Sequence, residues 1–271
     1  MDPKKWLIHF LFIHVRKTQP DGRALYAYKC TEGKYQELHS QIRQSISPAL
    51  RNRPPKLFEA LFCLYAAETW RRNHDGGVWK WETVFGSVDC TTPENQGIIR
   101  EWVRRGLEYW KRDILHSHGG DKEYLITIAC EGGLPLKLLQ QESASLNQYF
   151  RELLAEHHRQ QHSPQFDITA LARQIAALRL PKSLHQEIVY RLSGELIQAI
   201  VNLQAKVADG ADPITALDKT GEPWRKTLPL SLEDDTVKAL LRGLIRQAKD
   251  LAQVGPQRLR WRRRLIPQAQ G

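Results

Sequence analysis

The chain is strongly basic and long enough for one large or two ordinary domains. It has 271 residues, of which 41% are hydrophobic, and its 40 Lys and Arg against 30 Asp and Glu give a formal net charge of +10. Such a balance is typical of proteins that meet polyanions, so nucleic acid is the first partner to consider. The same charge could also serve solubility alone.

The four cysteines argue against a zinc finger and a disulfide framework. Cys30, Cys63, Cys90 and Cys130 form no C-x-x-C pair and have no histidine at zinc-finger spacing. The most apolar stretch near the N-terminus, residues 6–15, is too short to span a bilayer. We therefore expect a reduced, cytoplasmic protein with no structural metal, no cofactor and no membrane anchor.

The first elements in chain order are predicted to be a β-hairpin and a capped helix. Residues 6–15 are rich in aromatic and branched side chains, residues 19–22 have turn chemistry, and residues 24–30 form a second short apolar run. Thr31 is positioned to cap a helix that ends near Ile46.

Further helices and one more strand are predicted before residue 160. Pro55 and Pro93 suit the first positions of two helices that would end near Arg72 and Asp113. Residues 125–130 have the composition of a short strand. Gly132 and Gly133 would then turn the chain into a helix that continues from residue 134 or 135 toward residue 158.

A boundary is predicted in the polar residues 160–165, and beyond it the pattern is helical. Apolar residues recur at helical spacing over residues 184–207 and 237–251, whereas residues 209–229 are expected to be irregular. The predicted fold class is predominantly α (α+β). The predicted regions are a mixed α/β domain at 1–160, a helical domain at 166–254, and a basic tail or the start of a further strand at 255–271.

One motif resembles the signature of metal-dependent nucleases. Pro20-Asp21 is followed by Glu32-Gly33-Lys34, and in such enzymes Asp and Glu hold the metal while Lys assists the attacking water. We interpret these residues instead as a turn and a helix start. An intervening strand would hold the two groups tens of ångströms apart, at about 3.3 Å per residue.

Two other motifs give only weak evidence of a metal or phosphate site. His116 and His118 could both face a metal from one side of a strand, but Gly119 and Gly120 indicate a loop tip. Residues 131–135, Glu-Gly-Gly-Leu-Pro, could receive a phosphate on free N–H groups, but they lack the Lys-Ser/Thr pair of a nucleotide loop. A tight turn is the better interpretation of the second motif.

Basic residues form two candidate nucleic-acid surfaces. On the Pro93 helix, Glu101 is expected to pair with Arg105 and Glu108 with Arg112. Three cations would then share a face without such acids, and four arginines near the C-terminus would alternate like one side of a strand. These candidate site residues are Arg100, Arg104, Lys111, Arg258, Arg260, Arg262 and Arg264.

Several segments together resemble the N-terminal part of a family of large, poorly characterised bacterial proteins found in genomic islands that carry phage-defence genes. The segments are the tryptophan-rich residues 66–72 and 74–81, with residues 105–107 (Arg-Gly-Leu), 131–135 (Glu-Gly-Gly-Leu-Pro) and 228–230 (Leu-Pro-Leu). The resemblance implies a role in a multi-protein defence system, and no catalytic residue is carried over from it.

The sequence thus predicts a nucleic-acid-binding or assembly module of a bacterial anti-phage defence system, with DNA and other subunits of a defence complex as partners. One alternative is a protein-docking scaffold anchored by exposed Trp79, Trp81 and Trp224. The other is a metal-dependent nuclease or hydrolase centred on His116 and His118. A basic groove would favour the first, an apolar patch the second, and carboxylates beside the histidines the third.

Overall fold

The chain is predominantly α-helical, as predicted. The computed structural model describes residues 3–51, 53–117, 119–163, 166–232 and 234–254. Within these ranges there are twelve α-helices, three short 3₁₀ helices and one isolated β-bridge, between His116 and Lys122. None of the helices in this part of the chain has the length and apolar composition needed to cross a bilayer.

The helices are numbered in chain order. Those of the first half are α1 (Pro3–Val15), α2 (Glu32–Leu50), α3 (Phe58–Asn73), α4 (Trp81–Gly86), α5 (Gln96–Trp110) and α6 (Tyr124–Gly132). Those of the second half are α7 (Leu136–Gln141), α8 (Ser143–Gln160), α9 (Ile168–Arg179), α10 (Glu187–Gln204), α11 (Pro213–Lys219) and α12 (Asp235–Val254). The 3₁₀ helices are Leu25–Tyr28, Lys182–Leu184 and Trp224–Thr227.

The predicted β-hairpin is wrong. Residues 6–15 belong to α1, and residues 24–30 contain the 3₁₀ helix Leu25–Tyr28. The buried side chains of α1 are spaced as on one helix face: Trp6, Leu7, Phe10 and Leu11. Their burial against the rest of the protein outweighs the β propensity of the aromatic and branched residues.

The predicted strand at residues 125–130 is also wrong, because this segment lies in α6. Five successive α6 residues, from Thr127 to Glu131, are buried. Such a helix has no exposed polar stripe, so its sequence is a short apolar run. Periodicity alone does not separate a run of this kind from a buried strand.

Helix boundaries were predicted with mixed success. Thr31 caps α2 as expected, since its side chain accepts a hydrogen bond from the Lys34 N–H. The two proline-based starts were placed three residues too early, because α3 begins at Phe58 and α5 begins at Gln96 behind an Asn95 cap. The helix predicted from residue 134 or 135 is divided into α7 and α8, and residues 209–229 contain α11 and a 3₁₀ helix.

The helices pack as two bundles joined by α6. In the N-terminal bundle, α3 is central, and α1, α2, α5 and α6 pack against it. In the C-terminal bundle, α8, α9, α10 and α12 pack together. Helix α8 contacts α9 and α12 across the boundary predicted at residues 160–165, and α6 contacts both α3 and α10.

Two glycines allow α5 and α6 to lie close to α3. A Cβ atom at Gly106 would overlap the Glu59 carbonyl oxygen and the Cys63 sulfur. A Cβ atom at Gly132 would overlap the Ala67 carbonyl oxygen and lie 2.8 Å from Cδ1 of Trp70. These glycines are therefore required by helix packing.

Candidate functional site

The predicted cationic face of α5 is partly neutralised. Arg104 forms ion pairs with Glu101, at 2.7 Å, and with Glu108, at 3.3 Å. The prediction that Arg104 lacks acidic neighbours is therefore wrong. Hydrogen bonding to Glu101 is the main cause of a raised pKa at Arg104. A phosphate would have to compete with two carboxylates for this guanidinium.

Of the two ion pairs predicted for α5, one forms and the other does not. Arg105 pairs with Glu101 at 2.6 Å, as predicted. Arg112 pairs instead with Glu131, at 2.7 Å, because the chain has already left α5 at that point. The remaining predicted contacts, Arg100 and Lys111, are exposed and have no ion pair among the described residues. The predicted contacts that lie outside the described residues are Arg258, Arg260, Arg262 and Arg264.

The residues of the nuclease-like signature are each engaged elsewhere. The strand predicted between them is wrong, because that segment contains a 3₁₀ helix. Even so, Asp21, Glu32 and Lys34 have separate ion-pair partners, which are Arg23, Arg72 and Glu37 in that order. No group of three His, Cys, Asp or Glu residues within the described ranges is arranged to hold a metal.

The histidine motif has no supporting carboxylate cluster in the described part of the chain. His116 is exposed and forms the β-bridge with Lys122, so it lies in a short turn. His118 lies outside the described residues. The described residues therefore lack the carboxylate cluster that would favour the hydrolase alternative.

The tryptophans predicted to be exposed docking anchors are buried. Trp79, Trp81 and Trp224 retain 5%, 8% and 3% of their accessible surface. Trp79 packs edge-on against Trp70 with ring centroids 5.3 Å apart. The Trp224 indole N–H donates a hydrogen bond to Asp218. These side chains stabilise the fold and are not available to a partner.

Positive charges converge at the C-terminal end of α1. His14 has a lowered pKa, chiefly because it is partly buried, and then because of the nearby cations of Lys226, Lys34 and Arg23. The Lys226 ammonium donates to the His14 carbonyl oxygen at 3.4 Å. This end of a helix carries partial negative charge, which cations stabilise.

An exposed apolar pair lies on the same helix. Phe12 and Ile13 are 51% and 42% exposed, which is unusual for side chains of this size. Basic residues flank them along the outward side of the helix and just beyond it. We call this set the α1 surface: Lys5, His9, Phe12, Ile13, Arg16 and Lys17.

Sequence reasoning missed the α1 surface because the segment was interpreted as a strand. Lys5, His9 and Phe12 recur at intervals of four and three residues, which places them on one side of a helix and on both sides of a strand. A helical interpretation of residues 3–15 would have revealed the surface.

The glycine-rich turn after α6 joins distant parts of the chain. Glu131 is buried and accepts hydrogen bonds from Arg112 Nε at 2.7 Å and from the Leu25 N–H at 2.9 Å. Burial raises the pKa of Glu131, and Arg112 opposes that shift. The turn therefore carries a structural ion pair, and it connects two helices where a strand and a helix had been predicted.

A cleft opens between the two bundles beside this turn. It has a volume of about 890 Å³ and is lined by the 3₁₀ helix Leu25–Tyr28, the residues after α5, the end of α6, α10 and residues 222–227. Three polar side chains of α10 and one just beyond its end border the cleft: Glu195, Gln198, Asn202 and Lys206. We call this feature the interbundle cleft.

Glu195 is a carboxyl group of the interbundle cleft with a raised pKa. Its surroundings raise the pKa of Glu195 to about 7, first by desolvation and then through the neighbouring Glu131 carboxylate, while Arg112 acts in the opposite direction. The side chain is nevertheless reached by solvent. A carboxyl group with such a pKa in a concave site marks a candidate binding site.

The molecule is thus a two-bundle helical protein with a basic α1 surface and a polar cleft. Residues 1–134 match the YjiT N-terminal domain, and residues 141–256 match the YjiT second domain. Through these two domains the chain belongs to the YjiT family, which confirms the resemblance to a family of bacterial proteins.

The family contains longer proteins. Protein YjiT of Escherichia coli (strain K12) is 28% identical over 246 residues, which cover 89% of this chain and 46% of YjiT. The chain therefore spans about half the length of the curated relative that it matches. No solved structure matches the chain.

Proposed function

We propose that the chain is a nucleic-acid-binding module of a bacterial protein assembly, and that DNA contacts the α1 surface. The observation that carries the proposal is the group of basic residues around the C-terminal end of α1. Arg23 and Lys34 are paired with Asp21 and Glu37, whereas Lys226 has no ion pair among the described residues. Arg16 and Lys17 directly follow α1 in the chain, and both are exposed without an ion pair in the described part of the chain. Converging cations attract the phosphates of DNA, and each phosphate that they neutralise releases its condensed counterions.

The exposed aromatic ring of Phe12 favours single-stranded DNA over duplex. Unpaired bases stack on aromatic side chains, whereas the bases of a duplex are already stacked on each other. Stacking contributes about 1–3 kcal/mol per base in single-strand complexes. Neither phosphate contact nor stacking depends on base identity, so we expect little sequence preference.

Fluorescence anisotropy with labelled single-stranded and duplex oligonucleotides tests the proposal. Each phosphate contact with a single strand adds about 0.7 to the slope of log affinity against log salt. The double variant Arg16→Gln/Lys17→Gln is therefore expected to flatten that slope by about 1.4. Phe12→Ala is expected to weaken binding and leave the slope unchanged.

The matched control is Lys182→Gln/Lys219→Gln, which removes the same charge from exposed positions of the C-terminal bundle. It is expected to leave the slope unchanged. An equal effect of both double variants would show that binding follows net charge and not the α1 surface. If the wild-type chain binds no DNA even at low salt, protein docking through Phe12 and Ile13 becomes the better account.

We also propose that the module acts in the cytoplasm, within an anti-phage defence complex. The resemblance of residues 66–81 and 131–135 to proteins of defence islands supports the defence role. The four free cysteines fit a reducing compartment such as the cytoplasm. The test is the efficiency of phage plating on cells that do or do not express the whole protein with its genomic neighbours. Equal plating across a broad phage panel contradicts a defence role.

A further inference from the structure

We propose that the interbundle cleft binds a small organic cation with a primary ammonium group, and that the Glu195 carboxylate is its counter-charge. This inference does not rest on the proposed contact with DNA, because the α1 surface supplies none of the residues that line the cleft. The volume of about 890 Å³ is in the range of small-molecule binding sites.

The wall formed by α10 offers polar groups that no other protein group occupies. Glu195, Gln198 and Asn202 have no hydrogen bond or ion pair among the described residues, although each borders the cleft. Polar side chains seven residues apart on a helix are separated by about 10 Å along its axis. An extended ligand could therefore contact all three.

The charges of the cleft favour a cation. Arg112 is paired with Glu131, and Lys206 is paired with Glu222. Glu195 and Asp113 remain without an ion pair among the described residues, so the cleft is negative in a protein whose net charge is +10. An anionic ligand would meet two uncompensated carboxyl groups. An ammonium group would neutralise one of them at short range.

Tyr26 forms part of the opposite wall. Its pKa is raised by burial and then by Glu195 and Glu131, so the phenol stays protonated at neutral pH. Tyr26, Glu131 and Glu195 all line the same cleft. The aromatic ring can in addition attract a cation that lies over its face.

Binding is expected to strengthen as the pH rises from about 6 to about 8. An alkylammonium group stays charged over this range, whereas the pKa of Glu195, about 7, means that its carboxylate forms across it. The other titratable or charged groups that line the cleft are Tyr26, Arg112, Asp113, Cys130, Glu131, Lys206 and Glu222. Of these groups, Tyr26, Cys130 and Arg112 have raised pKa values and keep their charge state between pH 6 and 8. Burial also raises the pKa of Glu131, but its ion pair with Arg112 favours the carboxylate.

The experiment is isothermal titration calorimetry of the whole chain with the triamine spermidine, and then with the shorter diamine cadaverine. At pH 8 we expect saturable one-to-one binding of spermidine. We expect Glu195→Gln to weaken it at least tenfold and to abolish its pH dependence. The matched control Glu94→Gln removes one carboxylate from an exposed position outside the cleft, and it is expected to leave the affinity unchanged.

Folding of each variant is checked by circular dichroism, and Gln198→Ala is a second cleft variant that removes no charge. A threefold or greater loss of affinity with Gln198→Ala supports the α10 wall as the contact surface. No saturable binding of either amine, or equal affinity of wild type and Glu195→Gln, overturns the proposal. Tighter binding of the anionic probe adenosine monophosphate in the cleft also overturns it.

Discussion

His74 is packed between aromatic rings just beyond α3. Its ring is stacked on Trp70 with centroids 4.1 Å apart and meets Trp79 edge-on at 6.0 Å. The Nε2 atom is buried without a hydrogen-bond partner in the described structure. Desolvation lowers the pKa of His74 to about 4, although Asp75 acts in the opposite direction. A charged imidazole is therefore disfavoured in the folded state.

His74 should make the protein sensitive to mild acid. The unfolded chain binds this proton near pH 6.5 and the folded chain only near pH 4, so the contribution to stability is present above pH 6.5 and is lost as the pH falls toward 4. The loss is at most about 3 kcal/mol, at about 1.4 kcal/mol per pKa unit. Urea unfolding of wild type and His74→Phe at several pH values measures it. Parallel stability curves would contradict this role of His74.

The cysteines provide a second prediction at the residue scale. All four lie in the described ranges, and each is a free cysteine there. Desolvation raises the pKa of Cys63, Cys90 and Cys130, and Cys90 is the only one of the four that is not fully buried. We expect Ellman's reagent to modify Cys90 slowly in the native protein and four thiols after denaturation. Rapid modification of a native Cys90→Ser variant would contradict this assignment.

At the scale of elements, close helix packing depends on Gly132. A methyl group there would lie 2.8 Å from Trp70 Cδ1 and would also overlap a backbone oxygen of α3, which cannot yield as a side chain does. We expect Gly132→Ala to lower the free energy of unfolding by about 1–3 kcal/mol, as other overpacking changes do.

Gly33→Ala is the matched control for Gly132→Ala. Gly33 also lies in a helix, but a Cβ atom there has nothing within 4 Å. Alanine at this position is expected to stabilise the protein by up to about 1 kcal/mol, because it favours the helix more than glycine does. Thermal and urea unfolding give both values. Equal effects of the two variants would show that packing on α3 does not limit position 132.

Sequence patterns succeeded for elements whose signal is local. Thr31 caps α2 through its own side chain, and α12 shows the wide apolar stripe of an amphipathic helix. They failed for α1 and α6, where short apolar runs were interpreted as strands. Such a run becomes a helix or a strand according to the residues that pack against it, and those residues are distant in the sequence.

For the candidate sites, too, the sequence predicted the local signal but not the features that depend on tertiary contacts. Charge composition indicated a polyanion partner, but which cations remain unpaired depends on contacts such as Arg104 with Glu108. The interbundle cleft could not be inferred, because Tyr26, Glu131 and Glu195 are brought together only by the docking of the two bundles. No spacing in the sequence relates these three residues.

At the scale of the whole molecule, the two bundles are expected to unfold together. Helix α6 packs on both α3 and α10, and the ion pair between Arg191 and Glu123 connects the bundles on the surface. Shared contacts of this kind make partial unfolding costly.

Two spectroscopic probes can test this cooperativity. Of the seven tryptophans in the described residues, all but Trp224 precede α6, so tryptophan fluorescence chiefly reports the N-terminal bundle. Circular dichroism reports helices of both bundles. We expect the two urea transitions to coincide within error. A separate fluorescence transition would show that the N-terminal bundle unfolds independently.

The turn after α6 finally has a consequence for the order in which the protein is made. The Leu134 N–H donates to the Pro229 carbonyl oxygen at 2.9 Å, and the Lys29 ammonium donates to the Leu230 carbonyl oxygen at 3.1 Å. A ribosome adds about 5–20 residues per second, so Pro229 is synthesised roughly 5–20 s after Leu134. For that time the nascent N-terminal bundle lacks its contacts with Pro229 and Leu230. A chaperone or another newly made protein can bind this exposed surface before the rest of the chain covers it.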